Sequence, residues 1–175
     1  SGVWNSATPA VATVSATGVV TAISPGTSVI AYTVTNANGC VRTVSTVVTV
    51  NSLPVVASIT GNTSVCVGST TALANATASG VWSSATPAVA TISATGVVTG
   101  IAAGTSVISY TVTINGCSTT STSTITVNPL PVVANITGTA SVCVGSTTAL
   151  ANATALGVWS SGTPAVATVS ATGLV

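Results

Sequence analysis

The sequence predicts an all-β chain of tandem antiparallel sandwiches, on three observations: a long internal repeat, a period-two alternation of apolar and hydroxyl side chains, and turn signals spaced at strand length. The repeat is plainest in one segment met three times, GVWNSATPAVATVSATGVV at residues 2–20, GVWSSATPAVATISATGVV at 80–98 and GVWSSGTPAVATVSATGLV at 157–175. Trp4, Trp82 and Trp159 stand 78 and 77 residues apart, while Cys40 and Cys117, like Cys66 and Cys143, stand 77 apart. The one-residue difference falls where TNANGC (35–40) replaces TINGC (113–117), at an Asn-Gly turn that can absorb an insertion without shifting the flanking strands. Residues 55–98 and 132–175 differ at seven of 44 positions, so the copies are nearly interchangeable. A unit of this length exceeds the roughly 20–45 residues of solenoid repeats and suffices for a small domain with its own core.

The elements follow in chain order. VNSLPVV (50–56) and VNPLPVV (127–133) set proline beside strand-like runs, and because proline removes a backbone donor and stiffens the chain, these are the linkers. That phase gives the back part of one repeat (1–50), a complete repeat (55–128) and the front part of the next (132–175), with the ends expected to fall inside a repeat. Within the complete repeat the strands are short and punctuated by ATG, AAGT and NGC about every eight to twelve residues, as in a sandwich. In TSVISYTVT, Ile108, Tyr110 and Val112 share one face and Ser109, Thr111 and Thr113 the other, so the first three are core candidates. Val, Ile and Thr fill most strand positions, and their branched side chains suit a pleated surface. The apolar fraction of 47% prompts a membrane reading, but Thr, Ser or Gly interrupts every stretch near 18 residues, and three Trp with two Tyr cannot build the aromatic girdles of a membrane barrel.

VWSSATPAVATISATGVVTGIAAGTSVISYTV (81–112) resembles the bacterial immunoglobulin-like group 2 domain, with its Trp-Ser-Ser, Pro-x-Val-Ala, Gly-x-Val-Thr-Gly and Gly-Thr pattern, and the match recurs in each copy. The resemblance implies tandem immunoglobulin-like β-sandwiches, one complete and two partial. It makes Trp82 the buried tryptophan of the strand after the first hairpin, Pro87 a turn residue, Gly96 and Gly100 tight-turn glycines, and Gly104 the entry to TSVISY. It supplies no catalytic, cofactor-binding or metal residues. With the cysteine pair and the proline linker, it resembles the repeats of giant type IX-secreted surface adhesins of Bacteroidota. The chain departs from many family members in having no acidic residue, which leaves a calcium-stiffened linker without ligands.

The charge is the most restrictive observation. One Arg, no Lys, no Asp, no Glu and no His occur in 175 residues, where about a quarter charged is usual. A serine nucleophile then has no base, zinc no histidine and calcium no carboxylate, so no enzyme, no cofactor and no metal site is expected. Phosphate neutralisation needs a basic patch, and Arg42 alone excludes nucleic acid as a partner; Arg42 itself reads as a solvated strand-end residue.

Cysteine is the remaining chemistry. Cys66 and Cys117 belong to the same complete repeat, and their bridge would close a loop of about 50 residues, leaving Cys40 and Cys143 to find partners outside the chain. Free thiols, or a Cys40–Cys66 bridge across the linker, are the alternatives. A bridge implies an oxidising, extracellular setting. STTSTSTITV (118–127) is a hydroxyl row that could order water or ice or stack on sugars, against the plainer reading of a wet sheet face. Tyr32 and Tyr110 could be glycan platforms but share their faces with core positions. Sequons stand at Asn62, Asn75, Asn135 and Asn152. The reading that joins these features is a structural stalk of a large secreted cell-surface adhesin, giving reach and mechanical continuity, with neighbouring copies of the repeat as partners and no membrane insertion. The competing reading is a module in which each repeat binds carbohydrate, ice or a host surface directly.

Overall fold

The computed structural model describes residues 2–175, and the described residues form an all-β fold of tandem immunoglobulin-like sandwiches. Among the described residues no helix is long and apolar enough to cross a membrane. Two compact units result, Ser1–Asn128 and Pro129–Val175. Within the first unit, residues 2–50 supply β1 (Gly2–Ser6), β2 (Ala12–Val14), β3 (Val20–Ala22), β4 (Gly26–Thr35) and β5 (Val41–Val50), arranged as a β1-β4-β5 sheet and a β2-β3 pair. The second repeat supplies β6 (Thr60–Gly61), β7 (Ser64–Cys66), β8 (Thr70–Ala74), β9 (Gly80–Ser84), β10 (Ala90–Ile92), β11 (Val97–Gly100), β12 (Gly104–Ile114) and β13 (Cys117–Asn128). Each sheet draws its strands from one repeat only.

The eight strands of the second repeat form two sheets, β10-β11-β8-β6 and β7-β13-β12-β9. Lettered in chain order as A, A′, B, C, D, E, F and G, these are D-E-B-A and A′-G-F-C, the immunoglobulin division of strands between layers. All pairings in this repeat are antiparallel except β7 with β13, which run parallel through Ser64–Thr126, Val65–Val127 and Cys66–Asn128. Alternation along β12 buries Ser106, Ile108, Tyr110 and Val112, and Ile125 and Val127 of β13 join them from the same face. Val65, Leu73, Ala90 and Val98 complete the core.

The turns follow from residues that tolerate positive φ. Asn115 (φ 50°) and Gly116 (φ 79°) close the β12–β13 hairpin in two residues, the arrangement whose twist matches the strands. In the first repeat the inserted residue is absorbed at this turn, where Asn36 Oδ1 accepts hydrogen bonds from the N–H groups of Asn38 and Cys40. Gly96 (φ 84°) is a turn glycine as expected, but Gly100 ends β11, where a Cβ would come within 2.8 Å of the Cys66 carbonyl oxygen. Its role is close approach of two backbones rather than a turn.

The second unit carries β14 (Thr137–Gly138) and β15 (Leu150–Ala151), joined antiparallel, and an isolated bridge between Ala149 and Leu174.

Candidate functional site

Two surfaces of the second repeat carry its chemistry: the outer face of the A′-G-F-C sheet and the F–G turn where it meets the preceding linker. The outer face is a grid fixed by register. Thr105 lies opposite Thr126, Val107 opposite Thr124, Ser109 opposite Thr122, Thr111 opposite Thr120 and Thr113 opposite Ser118. Cross-strand hydroxyls bond at 2.8 Å in the Thr111–Thr120 and Thr113–Ser118 pairs, so part of the row is spent within the sheet. β9 extends the grid with Val81 and Ser83.

Inward, Tyr110 is buried and lies on Trp82 with ring centroids 4.6 Å apart. Its hydroxyl donates to the Thr77 carbonyl (2.7 Å) and accepts from the Gly80 N–H (2.9 Å), which fixes the B–C connection to strand F. Ile108 and Val112 are buried beside it. Trp82 is only half-buried, because β9 is an edge strand and one side of the indole has no neighbouring strand. These contacts make Tyr110 a packing residue rather than a glycan platform.

Sequence reasoning missed a buried hydroxyl network. Ser84 Oγ donates to the Ala90 carbonyl (2.6 Å) and bonds Ser106 Oγ (2.9 Å), which accepts from the Thr86 N–H (3.1 Å). The first repeat reproduces it with Ser6, Ala12, Ser28 and Thr8, and Ser161 donates to the Ala167 carbonyl in the third. Its signals in the sequence were the recurrence of SATPAVA or SGTPAVA and the place of Ser106 on the same strand face as Ile108. Two of the sequons prove to be structural as well: Asn75 Nδ2 donates to the Ala57 carbonyl and Thr77 Oγ1 accepts from the Ala57 N–H, and Asn152 and Thr154 hold Ala134 the same way.

The expected Cys66–Cys117 bridge is corrected by the strand order. All four cysteines are free thiols. Cys66 pairs with Asn128 at one end of β13, and Cys117 is the first residue of that twelve-residue strand. At ~3.3 Å per residue the two lie roughly 35 Å apart, whereas a disulfide needs Cα atoms within about 7 Å. Cys117 instead sits at the F–G turn against the linker, its Sγ 4.0 Å from the Asn51 carbonyl oxygen, and Asn51 Nδ2 donates to the Asn115 carbonyl at 3.2 Å.

A cavity of about 330 Å³ in the first repeat is lined by Tyr32, Val34, Val44 and Arg42, and one of about 790 Å³ in the second unit by Asn152, Thr154 and Trp159. The matching residues of the second repeat, Tyr110, Val112, Asn75, Thr77 and Trp82, pack on one another or on the segment before strand A at Ala57, so these cavities are core surface and not ligand sites.

No protein-family model and no curated protein matches the chain. Among solved structures it is similar to domains 1–6 of the surface layer protein SbsC (23% identity, TM-score 0.30, covering 88% of this chain and 23% of that one). It is also similar to a SusE-like surface-located polysaccharide binding protein from the Bacteroides thetaiotaomicron heparin utilisation locus (13% identity, TM-score 0.39, 73% and 29%). A third is a C-terminal fragment of intimin in complex with the intimin-binding domain of its translocated receptor (18% identity, TM-score 0.35, 78% and 53%). The chain thus spans less than two thirds of each. The fold rests on its own strand order and not on these likenesses.

Proposed function

We propose that this chain is a spacer segment of a secreted, cell-surface filament, built from sandwiches that extend a stalk and that associate with neighbouring copies of themselves. The observation that carries this reading is where the repeats differ. Their buried hydroxyl network and, apart from the F–G turn, their turns recur, while the outer face of the A′-G-F-C sheet does not: Thr122 and Thr124 of β13 correspond to Ser45 and Val47 of β5, and Ser109 to Ala31. A face that read a ligand would have to be kept from repeat to repeat, whereas a spacer needs only its core and turns. The near-absence of charge removes the repulsion that keeps soluble proteins apart and so favours lateral packing. It also leaves acid–base and metal-assisted catalysis without side chains, in keeping with a non-enzymatic role.

Direct binding by each repeat is the competing reading, favoured by the hydroxyl grid of the second repeat. The deciding experiment immobilises the 175-residue chain against a panel of polysaccharides and against ice. The spacer reading expects no saturable retention, while saturable binding abolished by Thr122→Val and Thr124→Val would overturn it. Antibody labelling of unpermeabilised source cells tests the surface location.

A further inference from the structure

We propose that successive repeats are clasped by a disulfide that crosses the linker, joining the cysteine that ends strand A′ of one repeat to the F–G cysteine of the next. Two halves of this arrangement are present, each referred to the same linker residue. Asn51 and Asn128 are repeat-equivalent, each following a strand G of its repeat in VNSLPVV or VNPLPVV. In the second repeat, Cys66 lies directly opposite Asn128, and the Asn128 carbonyl accepts a hydrogen bond from the N–H of Val67 at 3.0 Å. At the junction between the first and second repeats, Cys117 Sγ lies 4.0 Å from the Asn51 carbonyl oxygen. Transferring the first relation onto Asn51 sets the A′ cysteine of the earlier repeat and Cys117 of the later one beside one and the same carbonyl group. Paired strands are ~4.8 Å apart, so both cysteines stand about one strand spacing from that carbonyl group, and a disulfide, which spans Cα separations of about 4.4–6.8 Å, forms where the F–G turn brings the two Sγ atoms together.

Both thiols are accessible from the linker side. Along β7 Val65 points into the core, and Cys66 is exposed. Cys117 is half-buried against the linker. The arrangement also accounts for the four free thiols: Cys66 and Cys143 are A′ cysteines, Cys40 and Cys117 are F–G cysteines, and no A′ cysteine stands in residues 1–50 to meet Cys117. In the reaction the two thiols lose two protons and two electrons, one S–S bond forms, and a disulfide oxidant, a small molecule or an oxidoreductase, is reduced to two thiols. On bridging, the Asn51 carbonyl exchanges its weak S–H contact for the backbone N–H that the Asn128 carbonyl already accepts. This inference rests on repeat geometry and stands whether or not the spacer reading does.

The test lengthens the full chain at its N-terminus by a copy of residues 55–78, which supplies strands A, A′ and B to the first repeat because Ser79 and Gly80 match Ser1 and Gly2. After oxidation with a disulfide such as oxidised glutathione, non-reducing peptide mapping should find the added copy of Cys66 joined to Cys117, with both thiols lost to titration and Cys66 still reactive. A folded chain in which Cys117 stays free, or is joined to any other cysteine, overturns the proposal. A second variant needs no added strand: Asn51→Cys in the 175-residue chain, whose side-chain position already reaches the F–G turn, should bridge to Cys117 under the same oxidant. Failure of that bridge removes the junction geometry on which the clasp depends.

Discussion

The segment GVVT leads into strand E at 18–21 in the first repeat and at 96–99 in the second, the same four residues in two surroundings. Val98 in β11 is 0% exposed, whereas the matching Val20 in β3 is 37% exposed; on strand F, Val112 is 1% exposed and the matching Val34 is 42% exposed. The difference is not local. β11 lies beside β8, and Leu73 of β8 fills the core over it, whereas β3 pairs only with β2. The described residues 2–50 contain no strand A, A′ or B, so burial in this fold is set by the layer that strand B completes, with Val65 of A′ and Leu73 of B in the core, and the C to G strands adopt their register without it. Backbone pairing comes from the hairpins, and the apolar gain that stabilises the repeat comes from closing the second layer.

That comparison can be broken most directly at its own residues. Val98→Ala should cost roughly 1.5–3 kcal/mol, the value of a fully buried valine with its cavity, and Val20→Ala under about half as much. Hydrogen exchange read by mass spectrometry separates the two repeats, and equal losses of protection in β11 and β3 would show that strand B does not set the burial. A smaller effect sharpens the contrast by being the same in both. Ser106→Ala and Ser28→Ala each remove the centre of the buried hydroxyl network, with an expected cost of about 1–3 kcal/mol each, because Ser106 and Ser28 are both buried with the same partners. A cost confined to the second repeat would mean that the network is held together by strand B after all.

The smallest effect is expected from pH. Stability changes with pH only where folded and unfolded states bind protons differently, and the chain has no Asp, Glu or His side chain to do so. Stability in both repeats should therefore be flat from about pH 3 to pH 8, the range over which carboxylates and histidines titrate. Thermal unfolding across that range checks it, and a fall in melting temperature of more than about 10 °C on acidification would expose a titrating interaction outside this account.

How much of this could be read from the sequence depended on the length of each strand. β12 has eleven residues, and its alternation correctly placed Ile108, Tyr110 and Val112 on the inner face. β6 and β7 have two and three residues, too few to show a period, so the parallel pairing of β7 with β13 was invisible. The disulfide error came from that gap. Membership of one repeat does not say at which end of it a residue lies, and only the direction of β7 against β13 puts Cys66 and Cys117 at opposite ends. Trp82 was placed deeper than it is for a similar reason, since strand order decides which strand is an edge. The hydroxyl network was missed because a serine on the inner face of a strand is of the same type as the hydroxyls of the wet face, although the alternation of β12 sets Ser106 on the face of Ile108.

The parallel pairing of β7 with β13 also decides how the second repeat would yield to tension. The chain reaches β7 by way of β6, which pairs with β8, and leaves the repeat after β13, so once β6 has come away, pulling on the two ends draws β7 and β13 past each other along their length. Their hydrogen bonds, with those of Thr126 N–H to the Thr63 carbonyl and Val67 N–H to the Asn128 carbonyl at either end, are then loaded together in shear. An antiparallel hairpin pulled at its open end would instead unzip one pair at a time. A three-residue patch is in this way placed as the latch of the domain, and beyond the two-residue β6–β8 pair it has to rupture before the longer β12–β13 ladder bears any load.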